Sequence, residues 1–464
     1  MITSRHSISR QKASTLIACI VALTAGSLAA GSAFGNDSTD NPYSPAYGHA
    51  YRHGVVPTRE AWEHMKEYAN QNAGPGAATS SQTLSYGGGI DGIGVTSGTP
   101  RVYLVVYGSQ WGTQGTDANG NWTFTGDSAG AMPYLQRLFK GIGTGGELWS
   151  GVMTQYCDGA VSAGATSCPS GASFVGYPSA GAFAGIMYDN SVASPSNATA
   201  AQLGQEAVKA AGFFGNTTAA SNRYAQYVIL SPSGTHPDGF NTPRGGFCAW
   251  HDWNGDPYVG VASSYGDIAF TNMPYVLDLG TSCGENFVNS GSAGTLDGFS
   301  IVEGHEYAET ITDQNPAGGW TSASSGQENA DECAWISSGQ GASANVVMGN
   351  GTYAMQSTWS NDTNRCDISH PIVTSGGGGG GGGGPTASFS YVANRLVVNF
   401  TDTSTDSGAT ITTHAWTFGD GSTSTATNPG HTYSKPGSYS VKETVTDSNN
   451  ASASVTKTIS VKKH

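Results

Sequence analysis

Charged side chains are scarce in this chain of 464 residues, making up 11% of the sequence, against roughly 25% in an average soluble protein. Acidic residues outnumber basic ones, and the formal net charge is −14 at pH 7. An acidic surface repels phosphate groups, which argues against nucleic acids and anionic membranes as partners. The abundance of glycine, serine, threonine and asparagine favours a loop-rich, β-rich protein.

Long apolar segments are also lacking, apart from one near the N-terminus. The run TLIACIVALTAGSLAA follows the basic residues Arg5, Arg10 and Lys12, and it is too short and too rich in small residues for a comfortable membrane span. We therefore predict that residues 1–35 are a signal peptide. The protein is expected outside the cell as a monomer, with no membrane span once the signal is removed.

Cysteine is infrequent as well, and Cys19 would leave with the signal peptide. An even number then remains, which predicts disulfide bonds in an exported protein. Cys157 and Cys168 are close enough in sequence for a local pair, and the pairing of the other four is open. The six residues are Cys157, Cys168, Cys248, Cys283, Cys333 and Cys366.

Glycine, by contrast, is abundant at 67 residues, and its longest run marks a domain boundary. A polyglycine run buries no side chain and keeps its backbone freedom, so residues 373–384 are predicted to be a flexible linker. The linker separates a body, residues 85–372, from a C-terminal module, residues 385–464. Residues 36–84 precede the body as a polar lead, either a propeptide or an arm packed on the body. Within this lead, TREAWEHMKEYANQN predicts a helix capped by Thr58.

The C-terminal module contains short segments of alternating apolar and polar residues separated by turns, the pattern of a β-sandwich. Its residues Trp416, Phe418-Gly419-Asp420-Gly421, His431-Thr432-Tyr433 and Pro436-Gly437-Ser438-Tyr439 resemble those of a polycystic kidney disease-type (PKD) domain. That resemblance implies an immunoglobulin-like fold with Trp416 in the core and Gly419–Gly421 in a tight turn. It also implies a spacer or adhesion role.

The body is predicted to be α+β, a mixed α/β domain with a late polar helix. RVYLVVYGSQWG and RYAQYVILSPSG indicate buried strands, and GDIAFTNMPYVLDLG indicates one or two more. AGAMPYLQRLFKGIG and SNATAAQLGQEAVKAAGFFG have helical spacing. The last helix, FSIVEGHEYAETITD, is ended by Asn315-Pro316.

That last helix concentrates ionisable residues in a chain that has few of them. His305, Glu309 and Asp313 are spaced four residues apart, which places them on one face of a helix. Apolar residues such as Ile301 and Ile311 are then expected to bury the opposite face. A solvated polar face is the alternative interpretation of the same pattern.

The residues His305-Glu306-x-x-Glu309 match the His-Glu-x-x-His motif of zinc peptidases, with the second histidine replaced by glutamate. Zinc accepts carboxylate oxygen as well as imidazole nitrogen, so His305 and Glu309 are predicted metal ligands. Glu306 is the predicted catalytic base, which takes a proton from the attacking water. Zinc is the expected metal, with calcium as the alternative.

A catalytic zinc needs a third protein ligand. Asp313 is the nearest candidate in the sequence. Further candidates follow in QENADECAW, and two histidines lie earlier in the chain. These candidates are Glu328, Asp331, Glu332, His236 and His251. His251 is equally well interpreted as a hydrogen-bonded loop histidine.

Several segments of the body occur in an order that resembles the EXORDIUM/phosphate-induced protein family of plants and related secreted bacterial proteins. They are RVYLVVYGSQWG, FCAWHDW, AFTNMPYV, GHEYAETITDQNPAGGW, ENADEC and YAMQSTWSNDTNRC. The resemblance implies an extracellular or cell-wall protein without specifying a reaction. It singles out His305, Glu306, Glu309 and Asp313, which match the fuller bacterial form of the helix.

Together these features predict a secreted metal-dependent hydrolase, an endopeptidase acting on extracellular or surface protein. The substrate would be protein or cell-wall polymer, with the C-terminal module holding the enzyme near it. Two alternatives remain open. One is a non-catalytic cell-surface or polysaccharide-binding protein with a structural metal. The other is a metal-free glycan hydrolase that uses Glu306 and Glu309 as paired carboxylates.

Overall fold

The structure is a computed structural model, and it describes residues 41–72, 83–373, 385, 387–405, 410–447 and 452–463. The predicted signal peptide and residues 374–384 of the predicted linker lie outside this part of the chain. The helices are α1 (Arg59–Asn72), α2 (Ala131–Gly141), α3 (Ala200–Phe213), α4 (Ala219–Asn222) and α5 (Asp297–Thr312). None of the helices in the described residues has the length and apolar character needed to cross a membrane.

The strands of the body run from the lead to the region before the linker. They are β1 (His53–Pro57), β2 (Leu84–Tyr86), β3 (Arg101–Tyr107), β4 (Gln114–Thr116), β5 (Trp122–Phe124), β6 (Cys157–Asp158), β7 (Ser173–Phe174), β8 (Phe183–Asp189), β9 (Ala225–Leu230), β10 (Phe247–Trp253), β11 (Ala269–Met273), β12 (Trp320–Ser322), β13 (Ala344–Met348), β14 (Gly351–Met355), β15 (Thr358–Ser360) and β16 (Arg365–Asp367).

A six-stranded mixed sheet organises the body, in the order β1-β10-β11-β9-β3-β8. β11, β9, β3 and β8 are parallel neighbours, whereas β1 and β10 are added antiparallel at one edge. The central strands β3 and β9 are almost entirely buried, as their continuous apolar sequences predict for strands covered on both faces. The prediction of a mixed helix-and-strand body is therefore confirmed.

The predicted helices and strands are found close to their expected bounds. α1 begins after Thr58, whose Oγ1 accepts a hydrogen bond from the amide of Ala61 (3.2 Å). α3 begins with a capping box in which Thr199 and Gln202 exchange side chain–backbone hydrogen bonds. The segment GDIAFTNMPYVLDLG forms one strand, β11, followed by a single turn of 3-10 helix from Val276 to Asp278.

α5 differs from its prediction in one respect, because it is buried along its whole length and not only on one face. It packs against β10, β14 and β1. A helix buried on every side is normally apolar throughout, yet α5 carries Glu303, His305, Glu306 and Glu309, each with no exposed surface. The charged groups are thus placed inside the body.

Three disulfide bonds connect the predicted cysteines. Cys157 pairs with Cys168, as predicted from their proximity. The two pairs that the sequence left open are Cys248–Cys283 and Cys333–Cys366. The first ties the start of β10 to the segment before α5, and the second ties the loop after β12 to β16.

The C-terminal module has two antiparallel sheets, one of three strands and one of four. Trp416 lies in its core with 1% exposure, and its indole N–H donates to the carbonyl of Ala426 (3.0 Å). Gly419 and Gly421 have φ angles of 80° and 93°, which confirms the tight turn. Its strands are β17 (Phe389–Asn394), β18 (Val397–Asp402), β19 (Ile411–Thr417), β20 (Thr423–Ser424), β21 (Gly430–Thr432), β22 (Gly437–Asp447) and β23 (Ser452–Val461).

Candidate metal centre

α5 brings a histidine and a glutamate together in the interior of the body. His305 and Glu309 are one helical turn apart, and His305 Nε2 lies 3.0 Å from Glu309 Oε2. Neither side chain has exposed surface. The i, i+4 spacing of the sequence therefore produces the proximity that a shared ligand would need.

β10 supplies a second imidazole from the neighbouring sheet. His251 Nε2 lies 4.0 Å from Glu309 Oε2 and 3.2 Å from Glu328 Oε2. His251 is fully buried and hydrogen-bonded, as the alternative interpretation expected, but it lies on strand β10 and not on a loop. Glu309 Oε2 consequently faces imidazole nitrogens from two different elements.

The loop after β12 supplies two more carboxylates, Glu328 and Asp331. Asp331 Oδ1 lies 3.6 Å from His305 Nε2. The backbone amides of Ala330 and Asp331 donate to Glu309 Oε1, at 3.2 and 2.8 Å. One oxygen of Glu309 is thus held by the loop, while the other remains directed at the histidines.

These side chains form two groups of three whose ligand atoms all lie within 4.8 Å of one another. One consists of His251, Glu309 and Glu328, and the other of His305, Glu309 and Asp331. Within the described residues, His305 Nε2 and Glu309 Oε2 form no hydrogen bond of regular geometry despite their separation. Buried polar atoms normally have partners, so each group fits a cation bound through the shared residue Glu309.

The pKa shifts of the buried groups also favour a bound cation at the centre. Burial, followed by the charge of Asp331, raises the pKa of Glu309 to about 7, although His305 opposes this effect. Burial alone would lower the pKa of His305, but Glu309 and Asp331 raise it to about 10. Burial holds the pKa of Glu328 well above its ordinary value and that of His251 well below. The centre therefore has more buried carboxylates than its two imidazoles can neutralise.

Glu306 is adjacent to these groups but belongs to neither. Its carboxylate is fully buried, and neither oxygen has a hydrogen-bond partner among the described residues. Burial, together with the charges of Glu309, Glu303 and Asp331, holds its pKa well above the ordinary value. A raised pKa makes the ionised carboxylate a stronger proton acceptor, which suits a general base.

Asp313 is not brought into the centre, although its spacing predicted it as a ligand. α5 ends at Thr312, and Asp313 has φ −145° and ψ 67°, outside the helical region. Its carboxylate accepts hydrogen bonds from the backbone amides of Ala317 (2.8 Å) and Gly319 (2.5 Å). These bonds close the turn that follows the helix and engage both oxygens.

The remaining candidates of the sequence also lie outside the two groups. His236 is half-buried, and its Nδ1 lies 3.0 Å from the carbonyl oxygen of Phe240. Glu332 accepts a hydrogen bond from Ser325 Oγ (3.4 Å). Of the residues proposed in addition to the helix, the structure therefore groups Glu328, Asp331 and His251 with His305 and Glu309.

Two residues at the centre were missed by sequence reasoning. Gln356 Oε1 lies 3.3 Å from His305 Nδ1, and its amide nitrogen donates to the carbonyl of Ala330 (2.7 Å). Gly54 of β1 places its backbone against Glu309 and His251. A glycine within an otherwise apolar strand, as in HGVVP, is a known sign of close backbone approach, whereas nothing local marks Gln356.

A third group of ligand atoms lies beside the centre and consists of His53, Asp252 and Asp256. His53 Nε2 is 3.9 Å from Asp256 Oδ2. Burial, followed by the charge of Asp256, holds the pKa of Asp252 well above its ordinary value. Because His53 belongs to β1, this group links the N-terminal lead to the body.

Comparison with known proteins identifies the C-terminal module. The PKD domain family matches residues 385–462. The microbial collagenase of Vibrio alginolyticus is 48% identical over 58 residues, which are 12% of this chain and 7% of that protein. The pre-pro-metalloprotease PrtV of Vibrio cholerae is 43% identical over 77 residues, 17% of this chain and 8% of the relative.

The solved PKD1 domain of the Vibrio cholerae metalloprotease PrtV is 42% identical, and the match covers 17% of this chain and 96% of that domain, with a TM-score of 0.17. The family match identifies residues 385–462 as a PKD domain. The curated relatives match in the region of this domain, and the chain spans less than a tenth of their length. The resemblance of the body to the EXORDIUM family stays a prediction.

Proposed function

We propose that this protein is a secreted metal-dependent hydrolase, and specifically an endopeptidase. The observation that carries the proposal is the position of Glu309 Oε2, 3.0 Å from His305 Nε2 and 4.0 Å from His251 Nε2. All three side chains are buried without exposed surface. Such a convergence of imidazole and carboxylate donors is the chemistry of a metal site.

The donor set favours zinc over calcium. His305, Glu309 and Asp331 would hold the metal, and His251 and Glu328, which form the other group on Glu309, would be further donors. Calcium prefers sites made of oxygen atoms, whereas imidazole nitrogen suits zinc. When bound, the metal would supply Lewis acidity that polarises a carbonyl group.

The residues around the donors would perform the remaining steps. Glu306 accepts a proton from the attacking water and later returns it to the leaving amine, which its raised pKa favours. Gln356 orients the ring of His305 through Nδ1. The PKD domain would keep the body close to polymeric substrate.

The choice of a peptidase is supported by the proteins in which similar PKD domains occur. The relatives matched in this region are named as a collagenase and a metalloprotease. Secretion is supported by the signal-like N-terminal sequence and by three disulfide bonds.

The test is Glu306→Gln, measured as hydrolysis of unfolded casein together with the metal content of the purified protein. We expect the metal to be retained and the rate to fall by about 10²–10⁴-fold, the usual contribution of a general base. Glu303→Gln is the matched control. Glu303 lies on the same helix, is equally buried and also lacks hydrogen-bond partners among the described residues, yet it belongs to none of the ligand groups. Full activity in Glu306→Gln would exclude this mechanism.

A structural cation in a non-catalytic surface protein is the second candidate, and the complete burial of the donors favours it. A catalytic metal needs an open position for water and substrate, but His305 and Glu309 have no exposed surface. Under this alternative, removing the metal lowers the melting temperature, and casein is not hydrolysed under any condition.

A further inference from the structure

Two donors of the centre, Glu309 and His251, lie directly against the backbone of β1. A Cβ atom added at Gly54 would lie 2.1 Å from Glu309 Oε2 and 2.5 Å from Cδ2 and Nε2 of His251. Both distances are below any real contact, so the backbone of β1 occupies the space directly over these two side chains. Main chain from the N-terminal lead therefore covers the centre on the side of Glu309 and His251.

β1 reaches this position through an irregular pairing at the edge of the sheet. It is antiparallel to β10, with His53 opposite His251 and Val56 opposite Ala249, and the register shifts between these two pairs. Gly54 lies within the irregular stretch, at φ +50°, a conformation that favours glycine. The bulge directs the chain towards the donors.

An edge strand can be replaced by another extended chain, because its pairing depends mainly on backbone hydrogen bonds. β10, the partner of β1, also carries His251. An extended polypeptide that paired with β10 in the place of β1 would therefore pass over the same metal ligands. Without β1, this site would have the two features that a peptide-binding groove needs. These are an unpaired edge of β10 and a reactive centre beside that edge.

The lead is attached to the body at a few identifiable points. Arg52 Nε donates to Asp238 Oδ2 (2.7 Å), and Arg52 Nη2 donates to the carbonyl of Asp238 (2.7 Å). The amide of Thr58 donates to the carbonyl of Gly246 (2.7 Å), and Trp335 Nε1 donates to the carbonyl of Pro57 (2.8 Å). These anchors flank Gly54 on both sides.

The contact between the lead and the body is also incomplete. A cavity of about 670 Å³ is lined by residues 42–49 of the lead, by α1 and by the loop 243–246. Val55 and Val56 are buried in the main core, but α1 buries only Met65 and exposes most of its other residues. The valines of β1 thus belong to the central packing of the body, whereas α1 lies mostly on its surface.

We infer that residues 41–72 form an inhibitory segment, and that β1 occupies the groove in which an extended polypeptide substrate pairs with β10. This inference rests on the proposed function. Displacement of the segment would open the metal centre and free the edge of β10 at the same time. The structure, in which the donors are completely buried, would then be the inhibited form of the enzyme.

The experiment compares two variants of the full chain loaded with zinc. Arg52→Ala removes the charged anchor to Asp238 and should weaken the attachment of the segment. Lys209→Ala is the control, because it removes an ion pair with Asp189 in β8, at the opposite edge of the sheet. The measurements are the rate of zinc loss to a chelator and the rate of hydrolysis of unfolded casein. We expect both rates to rise by about tenfold or more in Arg52→Ala and to stay unchanged in Lys209→Ala.

Gly54→Ala gives a second, independent test. The added methyl group collides with Glu309 and His251 while β1 is in place, so it should displace the segment and increase both rates. If β1 is a constitutive part of the active fold, the same substitution lowers activity and zinc binding. If the protein binds zinc but neither variant raises the rate of zinc loss or the rate of hydrolysis, residues 41–72 are not an inhibitory segment. That outcome leaves the proposed function intact. Protein that binds no zinc overturns the proposed function, and the inference with it.

Discussion

The body and the PKD domain each bring a histidine and two carboxylates within ligand distance of one another, but under different constraints. In the PKD domain the group is Asp402, His414 and Glu443. Burial and the charge of Asp402 raise the pKa of Glu443 to about 8, so one proton satisfies the pair of acids. In the body, two imidazoles meet the four carboxylates Glu306, Glu309, Glu328 and Asp331.

This difference explains why the group in the body indicates a bound cation more strongly than the group in the PKD domain does. His414 Nδ1 lies 3.4 Å from Glu443 Oε1, and His414 and Asp402 are only half-buried, in reach of water. In the body, His251, His305 and Glu309 are completely buried, and unpaired charge at such a position is costly. We therefore propose a cation for the group in the body, whereas a proton suffices for the group in the PKD domain.

Glu309→Gln gives the largest expected effect, because Glu309 is the residue shared by the two ligand groups of the centre. We expect stoichiometric metal in the native protein and none detectable in the variant after dialysis, measured by elemental analysis. Glu443→Gln, the matching change in the PKD domain, should leave the metal content unchanged. Equal metal content in the native protein and both variants would mean that neither Glu309 nor Glu443 is needed to bind the metal.

The pH dependence of stability should separate metal-free from metal-loaded protein. In the absence of metal, Glu309 has its pKa raised from 4.5 to about 7. The folded protein then holds a proton that the unfolded chain has released, so stability is lost as the pH rises from about 4.5 through about 7. Glu309 alone corresponds to about 3 kcal/mol, while His251, with its lowered pKa, acts in the opposite direction below about pH 6.5.

Urea unfolding between pH 4.5 and 8 measures this effect. Bound metal requires the ionised carboxylate, so the metal-loaded protein should instead gain stability over the same range. Parallel curves for the two forms would mean that the metal does not bind at Glu309.

Gln356→Leu is expected to have a smaller effect, because Gln356 contacts His305 at Nδ1 and not at the atom facing Glu309. Loss of such an orienting group typically lowers metal affinity by roughly 10–100-fold. Competition with a chromogenic chelator measures the affinity. Gln155→Leu is the control, since Gln155 is also buried but bonds to the carbonyl of Val152 (2.8 Å). If both variants bind the metal with equal affinity, Gln356 does not contribute to the metal centre.

His414→Ala should have the smallest effect. We expect unchanged metal content and an unchanged rate with soluble casein, because, in the part of the chain that the structure describes, no residue of the PKD domain belongs to the ligand groups of the body. Release of metal from this variant would show that the PKD domain, too, holds a cation.

The sequence predicted the helix and its chemistry better than it predicted the partners of that helix. His305 and Glu309 are local neighbours on one helix, so their proximity follows from helical geometry. Asp313 obeys the same spacing, but the helix ends one residue earlier. Spacing alone could not show that the turn of residues 317–319 would bind its carboxylate.

The non-local parts of the centre required the fold. His251 was one candidate among several until the pairing of β10 with β1 and β11 placed it beside Glu309. The covering position of Gly54 depends on a bulge in that pairing. Neither the register of distant strands nor such a bulge has a reliable signature in a single sequence.

Anomalous X-ray diffraction from zinc-loaded crystals of the full chain tests the central claim most directly. The account predicts a peak at the zinc absorption edge within roughly 2.0–2.3 Å of His305 Nε2 and of a carboxylate oxygen of Glu309. A map from zinc-replete crystals with no peak between these two side chains would contradict it.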